Sequence, residues 1–107
     1  MIKIVENDQY TYISVEKSSF SKLTLELPKI SSNHLLLELS KNIIIIEDKI
    51  AFFLKVALDL KAKNKSFVII QKKINIDDFP EILNITPTLQ EAKDILEMEA
   101  IERDLDF

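Results

Sequence analysis

The chain has 107 residues with 14 Lys or Arg and 18 Asp or Glu, a formal net charge of −4, and 47% hydrophobic residues. This length and hydrophobic content suit one domain with a core, and the acidic balance argues against nucleic-acid and anionic-membrane partners. The chain contains no Cys, no Gly and one His, which excludes disulfides, thiolate metal sites, glycine-rich phosphate loops and polyhistidine metal centres. Composition therefore favours an interaction module over most enzymes.

The first predicted element is a strand over Tyr10–Glu16, where β-branched and aromatic residues lie between polar turns. The residues before it become polar at Glu6, too soon for a signal peptide, and no apolar run approaches the ~20 residues of a membrane span. We therefore expect a cytoplasmic protein. The next segment, Phe20–Leu27, fits two structures: a short capped helix that Pro28 ends, or a strand in which Leu alternates with polar residues.

Two apolar runs, Leu35–Leu39 and Phe67–Ile70, predict strands that are covered on both faces of a sheet. Between them lies Asp48–Asn64, which is rich in Ala, Leu and Lys and long enough for a helix. A strand, a long helix and a second strand predict a right-handed parallel crossover with the helix on one face.

The C-terminal third predicts a short helix that begins near Asp77–Glu81, with Pro in its first turn. A short last strand is predicted at Asn84–Thr86. Thr88–Glu91 fits a capping box, in which the Thr hydroxyl accepts a backbone N–H three residues later. We therefore expect a last helix to begin just after Thr88.

These elements, in this order, resemble a STAS domain, the fold of sulfate-transporter and anti-sigma-factor-antagonist domains. Glu38-Leu39-Ser40 stands where that family has an acidic-Leu-Ser strand end, and Pro87–Ala92 is similar to the family's last strand-to-helix junction. The resemblance implies one α/β domain over 1–107, with a core of about 10–96 and an acidic amphipathic tail at 97–107. It also implies a mostly parallel central sheet of four to five strands with helices mainly on one face, and it favours a helix at Phe20–Leu27.

The C-terminal stretch, carried by Thr88–Ala92 and Glu99–Leu105, is similar to that of short bacterial STAS-like proteins, some of which bear a ribonuclease Z label. Such nucleases hold two zinc ions with a His-rich motif, whereas His34 is alone in this chain. We therefore expect no metal, no cofactor and no enzymatic activity.

One departure from the family concerns the loop before the long helix. Anti-sigma-factor antagonists carry there a Ser that an anti-sigma kinase phosphorylates, and the resemblance places this site at Ile46–Lys49, which has no hydroxyl and no Gly. Glu47 and Asp48 put fixed negative charge where the family has a phosphate. They are a candidate partner contact, and the alternative is that they stabilise the helix dipole.

Phe52 is a second candidate partner contact. At about 100° per residue it shares the polar face of the predicted helix with Lys55 and Asp59. An exposed Phe near a helix start is typical of a binding surface. The alternative is that a neighbouring loop covers it.

The last predicted helix changes its apolar face. Leu89, Ala92 and Leu96 form one stripe, and a second stripe is rotated well away from it and surrounded by acids. The residues of the second stripe are Met98, Ile101 and Leu105. Either the helix breaks near Glu97, or this stripe docks on its own domain, on a second copy or on another protein. A frayed polar terminus is the remaining alternative.

The other chemistry-bearing residues have simpler structural explanations. His34 fits the end of a loop, and Ser40 has no identifiable base. The acids of the predicted short helix fit a helix cap; they are Asp77, Asp78 and Glu81. Five lysines fit a solvated face rather than a phosphate-binding patch; they are Lys61, Lys63, Lys65, Lys72 and Lys73.

The sequence therefore predicts a non-catalytic interaction or regulatory module that resembles an anti-sigma-factor antagonist without its phosphorylatable Ser. Its expected partner is an anti-sigma-type regulator or a second copy of the chain. Two alternatives are an assembly subunit that oligomerises through its C-terminal helix, and a STAS-like domain that binds a nucleotide or a lipid.

Overall fold

The central feature of the computed structural model is one mixed sheet with helices on both faces. The structure describes residues 2–30, 33–40, 43, 47–72, 80 and 82–105. Within them the strands are β1 (Ile2–Glu6), β2 (Thr11–Val15), β3 (Leu35–Leu39), β4 (Phe67–Ile70) and β5 (Asn84–Thr86). The helices are α1 (Phe20–Ile30), α2 (Glu47–Ala62) and α3 (Leu89–Leu105), and a single 3₁₀ turn, Lys17–Ser19, precedes α1.

The five strands lie in the sheet in the order in which they follow along the chain. β1 and β2 are antiparallel, whereas the β2–β3, β3–β4 and β4–β5 pairs are parallel. The α/β class and the mostly parallel sheet are thus confirmed. So is the specific prediction that the second and third predicted strands are parallel and joined by the long helix.

Side chains that alternate along the strands build an apolar cluster on each face of the sheet. On one face, α1 and α2 contribute Leu23, Leu27, Phe53 and Leu60 to the larger cluster. On the opposite face, α3 packs Ala92 and its neighbours on Leu36, Val68 and Ile70. β3 and β4 are therefore covered on both sides, which is why they are apolar at consecutive positions.

β1 is an element that the sequence analysis did not predict. It is an edge strand, and all of its residues after Ile2 are exposed. A tight turn joins it to β2, in which Asn7 Oδ1 accepts hydrogen bonds from the backbone N–H groups of Gln9 and Tyr10, both at 2.8 Å. Because both faces of β1 are solvated, it lacks the apolar run that reveals a buried strand.

α1 settles the ambiguity at Phe20–Leu27 in favour of a helix. Leu23 and Leu27, four residues apart, are both fully buried, so the helical period rather than the alternating one describes the segment. The expectation that Pro28 ends this helix was wrong, because α1 runs on to Ile30. Proline removes one backbone donor, and within a helix it can introduce a kink without ending the helix.

α2 ends in a Schellman motif that leads into β4. Asn64 takes a left-handed φ of 60°, the backbone N–H of Lys65 donates to Leu60 O at 2.8 Å, and that of Asn64 donates to Lys61 O at 3.0 Å. Glycine is the usual residue at such a position, and Asn is the next best. The motif therefore sets the positions of Lys65 and Ser66, which lead into β4.

Two further predictions concern a short helix after β4 and the absence of a membrane span. The short helix predicted near Asp77–Glu81 falls on residues 77–79 and 81, which lie outside the described residues. Across the ranges that are described, no helix has the length and apolar character needed to cross a bilayer.

Candidate functional site

α3 is one continuous helix from Leu89 to Leu105, so the predicted alternative of a break near Glu97 is wrong. Its start follows the expected cap, because the backbone N–H of Glu91 donates to Thr88 Oγ1 at 3.2 Å. The alternative of a frayed C-terminal part is likewise wrong as far as Leu105. A single continuous helix must then present its two apolar stripes in different directions.

The second apolar stripe of α3 faces solvent. Met98, Ile101 and Leu105 are 59%, 58% and 69% exposed, and we call these three residues the α3 stripe. At about 100° per residue they lie within about 60° of one another, and about 180° from the sheet-facing side that carries Ala92. The alternative in which the stripe docks on its own domain is therefore wrong for the described part of the chain.

Charge is segregated around α3. Its exposed ionisable residues are all acidic: Glu91, Asp94, Glu97, Glu102 and Asp104. Its two basic residues, Lys93 and Arg103, are partly buried and lie on the side that faces the sheet. Glu97 and Asp104 flank the α3 stripe on one side and Glu102 on the other, at about 70–90° from its centre. We call these three residues the acidic rim.

Polar contacts fasten the C-terminal half of α3 to the sheet at the edge where the parallel strands begin. Arg103 Nη1 donates to Ser66 Oγ at 3.2 Å, and Asn84 Nδ2 donates to Glu99 Oε2 at 3.0 Å. Ser66 directly precedes β4, and Asn84 begins β5. These bonds fix the rotation of the helix about its axis, and with it the direction in which the α3 stripe points.

His34 belongs to the same edge of the sheet. Its Nδ1 accepts a hydrogen bond from the backbone N–H of Ser66 at 2.9 Å, and its carbonyl accepts one from Thr11 N at 2.7 Å. Burial lowers the pKa of His34, as do the positive charges of Arg103 and Lys65, while Glu99 opposes them. The imidazole is therefore held neutral, as a link between β2, β3 and β4.

Two open clefts lie on this edge, on either side of Lys65. One, of about 470 Å³, lies between α2, β4, β5 and α3, and the other, of about 420 Å³, lies between the β1–β2 turn, His34 and α3. Three cations line the larger cleft, Lys61, Lys65 and Arg103, together with the acids Glu99 and Glu102. Because the lining carries both positive and negative charges, this cleft has no clear electrostatic preference for anionic or cationic ligands.

The predicted lysine patch is thus divided. Lys61 and Lys65 line the larger cleft, Lys63 and Lys72 are exposed, and Lys73 lies outside the described residues. The structure does not bring the four described lysines together as one phosphate-binding group.

Phe52 is half-buried rather than open to solvent. Its ring lies 6.3 Å from that of Phe20, edge to face, and 5.6 Å from that of Phe53, and it packs against the larger core cluster. The alternative in which a neighbouring segment covers Phe52 is therefore the better description, although the segment is the start of α1 rather than a loop.

The structure describes less about the remaining candidate residues. Glu47 and Asp48 are the first two residues of α2, but their side chains lie outside the described part of the structure, as do Asp77, Asp78 and Glu81. The backbone of Ser40 extends the β2–β3 pairing, since its N–H donates to Val15 O at 3.0 Å.

One polar pair was missed at the level of sequence. Tyr12 OH donates to Glu38 Oε1 at 2.5 Å across β2 and β3, and burial together with this acceptor raises the pKa of Tyr12 to about 12. Both residues lie on the α3 side of the sheet, at positions 26 residues apart in the chain. The alternation of Tyr12 and Glu38 with buried neighbours is the signal that places them on one face.

In comparisons with known proteins, the sequence matches no protein-family model, and no curated protein is significantly similar to it. Among the residues that the structure describes, no three His, Asp or Glu side chains lie close enough together to hold a metal ion.

Proposed function

We propose that this chain is a non-catalytic protein-interaction module that binds its partner through the α3 stripe. One observation carries the proposal: Met98, Ile101 and Leu105 are more than half exposed on one face of a helix whose opposite face is packed on the sheet. Large apolar side chains grouped on one helix face are typical of docking surfaces. Full burial is worth about 1.5–3 kcal/mol for each of them.

A regulatory role of the STAS-like kind is the interpretation that we favour for this module. It is supported by the order of the elements, in which two strands precede a helix, and a strand, a long helix, two further strands and a last helix follow. In this interpretation the fixed charges of Glu47 and Asp48, at the start of α2, replace a phosphorylatable Ser. Assembly of identical copies through α3 is the alternative.

The test replaces Ile101 and Leu105 together with Ser. Tagged wild type and variant are purified from the native host, the co-purifying proteins are quantified by mass spectrometry, and the complex is reconstituted from purified components. We expect one partner to be lost from the variant, because the α3 stripe no longer excludes water with it. The melting temperature should stay close to that of the wild type, since both side chains are already exposed.

Leu58→Ser is the matched control, because Leu58 is a comparably exposed residue, at 55%, on α2 rather than α3. This variant should keep the partner. Sedimentation velocity on the purified wild type and double variant tests self-association by the same surface. Equal recovery of every protein, with unchanged sedimentation, would contradict the proposal, as would a large fall in melting temperature in the double variant alone.

A further inference from the structure

We propose that the element that docks on the α3 stripe is an amphipathic helix with basic residues on both sides of its apolar face. This inference rests on the proposed function and names the chemistry of the partner. Its basis is the spacing and the charge of the residues around the α3 stripe.

The α3 stripe has the spacing of a coiled-coil seam. Met98, Ile101 and Leu105 are separated by three and then four residues, which corresponds to heptad positions a, d and a. In this register Glu97 and Asp104 occupy g positions and Glu102 the e position between them. These are the positions whose charges contact a partner helix and decide its orientation and identity.

The size of the α3 stripe also fits a helix. Seven residues of α-helix rise about 10 Å, so the stripe is two turns long and about one side chain wide. A second helix lying along it would cover all three side chains at once, with knobs packed into holes. Two turns of seam bury little area, so we expect a weak, reversible complex.

The charge of α3 selects against a second copy of this chain. Two α3 helices packed along their stripes would bring the acidic rims together, and like charges at e and g positions repel. Lys93 and Arg103 cannot compensate, because they are partly buried and Arg103 is bonded to Ser66. A partner with Lys or Arg at its e and g positions would instead form favourable pairs along both sides of the seam.

The experiment measures binding of the full chain to designed helical peptides of about three heptads. The first peptide has Leu at positions a and d and Lys at e and g. The second keeps Leu and has Glu at e and g, and the third keeps Lys and has Ser at a and d. Fluorescence anisotropy is recorded at about 50 mM and about 500 mM salt, which separates screened charge from apolar contact.

We expect the Leu/Lys peptide to bind at least roughly tenfold more tightly than either of the others. Replacing Ile101 and Leu105 with Ser should weaken this binding by roughly tenfold or more, whereas Leu58→Ser should not. Neutralising the rim by Glu97→Gln, Glu102→Gln and Asp104→Asn should weaken it and reduce its salt dependence.

Three results would overturn the inference. They are absence of binding by the Leu/Lys peptide, equal binding of the Leu/Lys and Leu/Glu peptides, and Leu/Lys binding that survives the double Ser substitution. The proposed function has a separate readout, since self-association or a native partner that depends on the α3 stripe would uphold it even when the basic peptide fails.

Discussion

His34 is the single imidazole of the chain, and its neutral form is built into the start of β4 through the backbone N–H of Ser66. Protonation would remove the acceptor at Nδ1 and place a positive charge beside Arg103 and Lys65. The folded protein therefore holds the pKa of His34 below its ordinary value of 6.5.

We expect the His34 ring C–H resonances in the proton NMR spectrum to titrate with a midpoint below 6.5 in the folded protein, and near 6.5 in urea. Since the unfolded chain then binds more protons, the stabilisation by His34 is fully present above pH ~6.5 and is lost as pH falls through the lowered pKa. Urea titrations at about pH 7.5 and about pH 5.5 should show this loss, and His34→Gln should reduce it. A folded midpoint at or above 6.5 would refute the account.

At the residue scale, the sequence identifies polar side chains such as His34 and Arg103 but does not predict which residues they form hydrogen bonds with. His34 and Ser66 are 32 positions apart, and Ser66 and Arg103 are 37 apart. They meet because β3 and β4 begin side by side and α3 returns across the same edge. No local pattern encodes such a meeting, since it depends on the topology of the whole sheet.

Among the elements, a buried side chain connects β4 to residues that follow β3. Gln71 directly follows β4, and its Nε2 donates to Ser40 O at 2.9 Å and to Ile43 O at 2.8 Å. Both bonds cross from the end of β4 to the chain that leads from β3 toward α2. Gln71 therefore links the end of β4 to Ser40 and Ile43.

Gln71→Leu should lower the free energy of unfolding by about 1–3 kcal/mol, because the side chain keeps its bulk but the buried carbonyl of Ile43 and the half-buried carbonyl of Ser40 lose a donor. Urea denaturation monitored by circular dichroism measures the change. Gln90→Leu, the same replacement at an exposed position of α3, should change it by about 0.5 kcal/mol or less. Equal effects of the two substitutions would show that the Gln71 bonds contribute nothing beyond side-chain polarity.

The elements themselves were largely predictable, and the reasons differ between them. β3, β4 and β5 have the predicted bounds, because apolar and β-branched runs between polar segments are a local signal. The start of α3 was predictable because Thr88 caps its own helix. β1 and the extension of α1 beyond Pro28 were not, because the first is a solvated edge strand and the second contains a proline, which locally indicates a helix end.

For the molecule as a whole, stability should be graded across the sheet. β3 and β4 have neighbours on both sides and helices on both faces, whereas β1 pairs with β2 alone and is largely exposed. Local opening therefore requires least free energy at β1 and most at the centre.

Hydrogen–deuterium exchange followed by mass spectrometry should show peptides that cover β3 and β4 exchanging last, and a peptide that covers β1 exchanging well before them. The N-terminal half of α3 should be better protected than its C-terminal half, because the residues of α3 in the apolar cluster on the sheet lie between Leu89 and Leu96. Protection of β1 equal to that of β4 would mean that the edge strand is covered by something other than β2, such as a second copy of the chain.

The absence of glycine has a consequence for the state from which the protein folds. The chain has no Gly, and among the described residues Asn64 alone adopts a positive φ. Glycine is the residue with the most backbone freedom to lose, so its absence narrows the denatured ensemble and reduces the entropy lost on folding. Part of the stability of this small domain therefore resides in that restricted ensemble, rather than in any contact between its strands and helices.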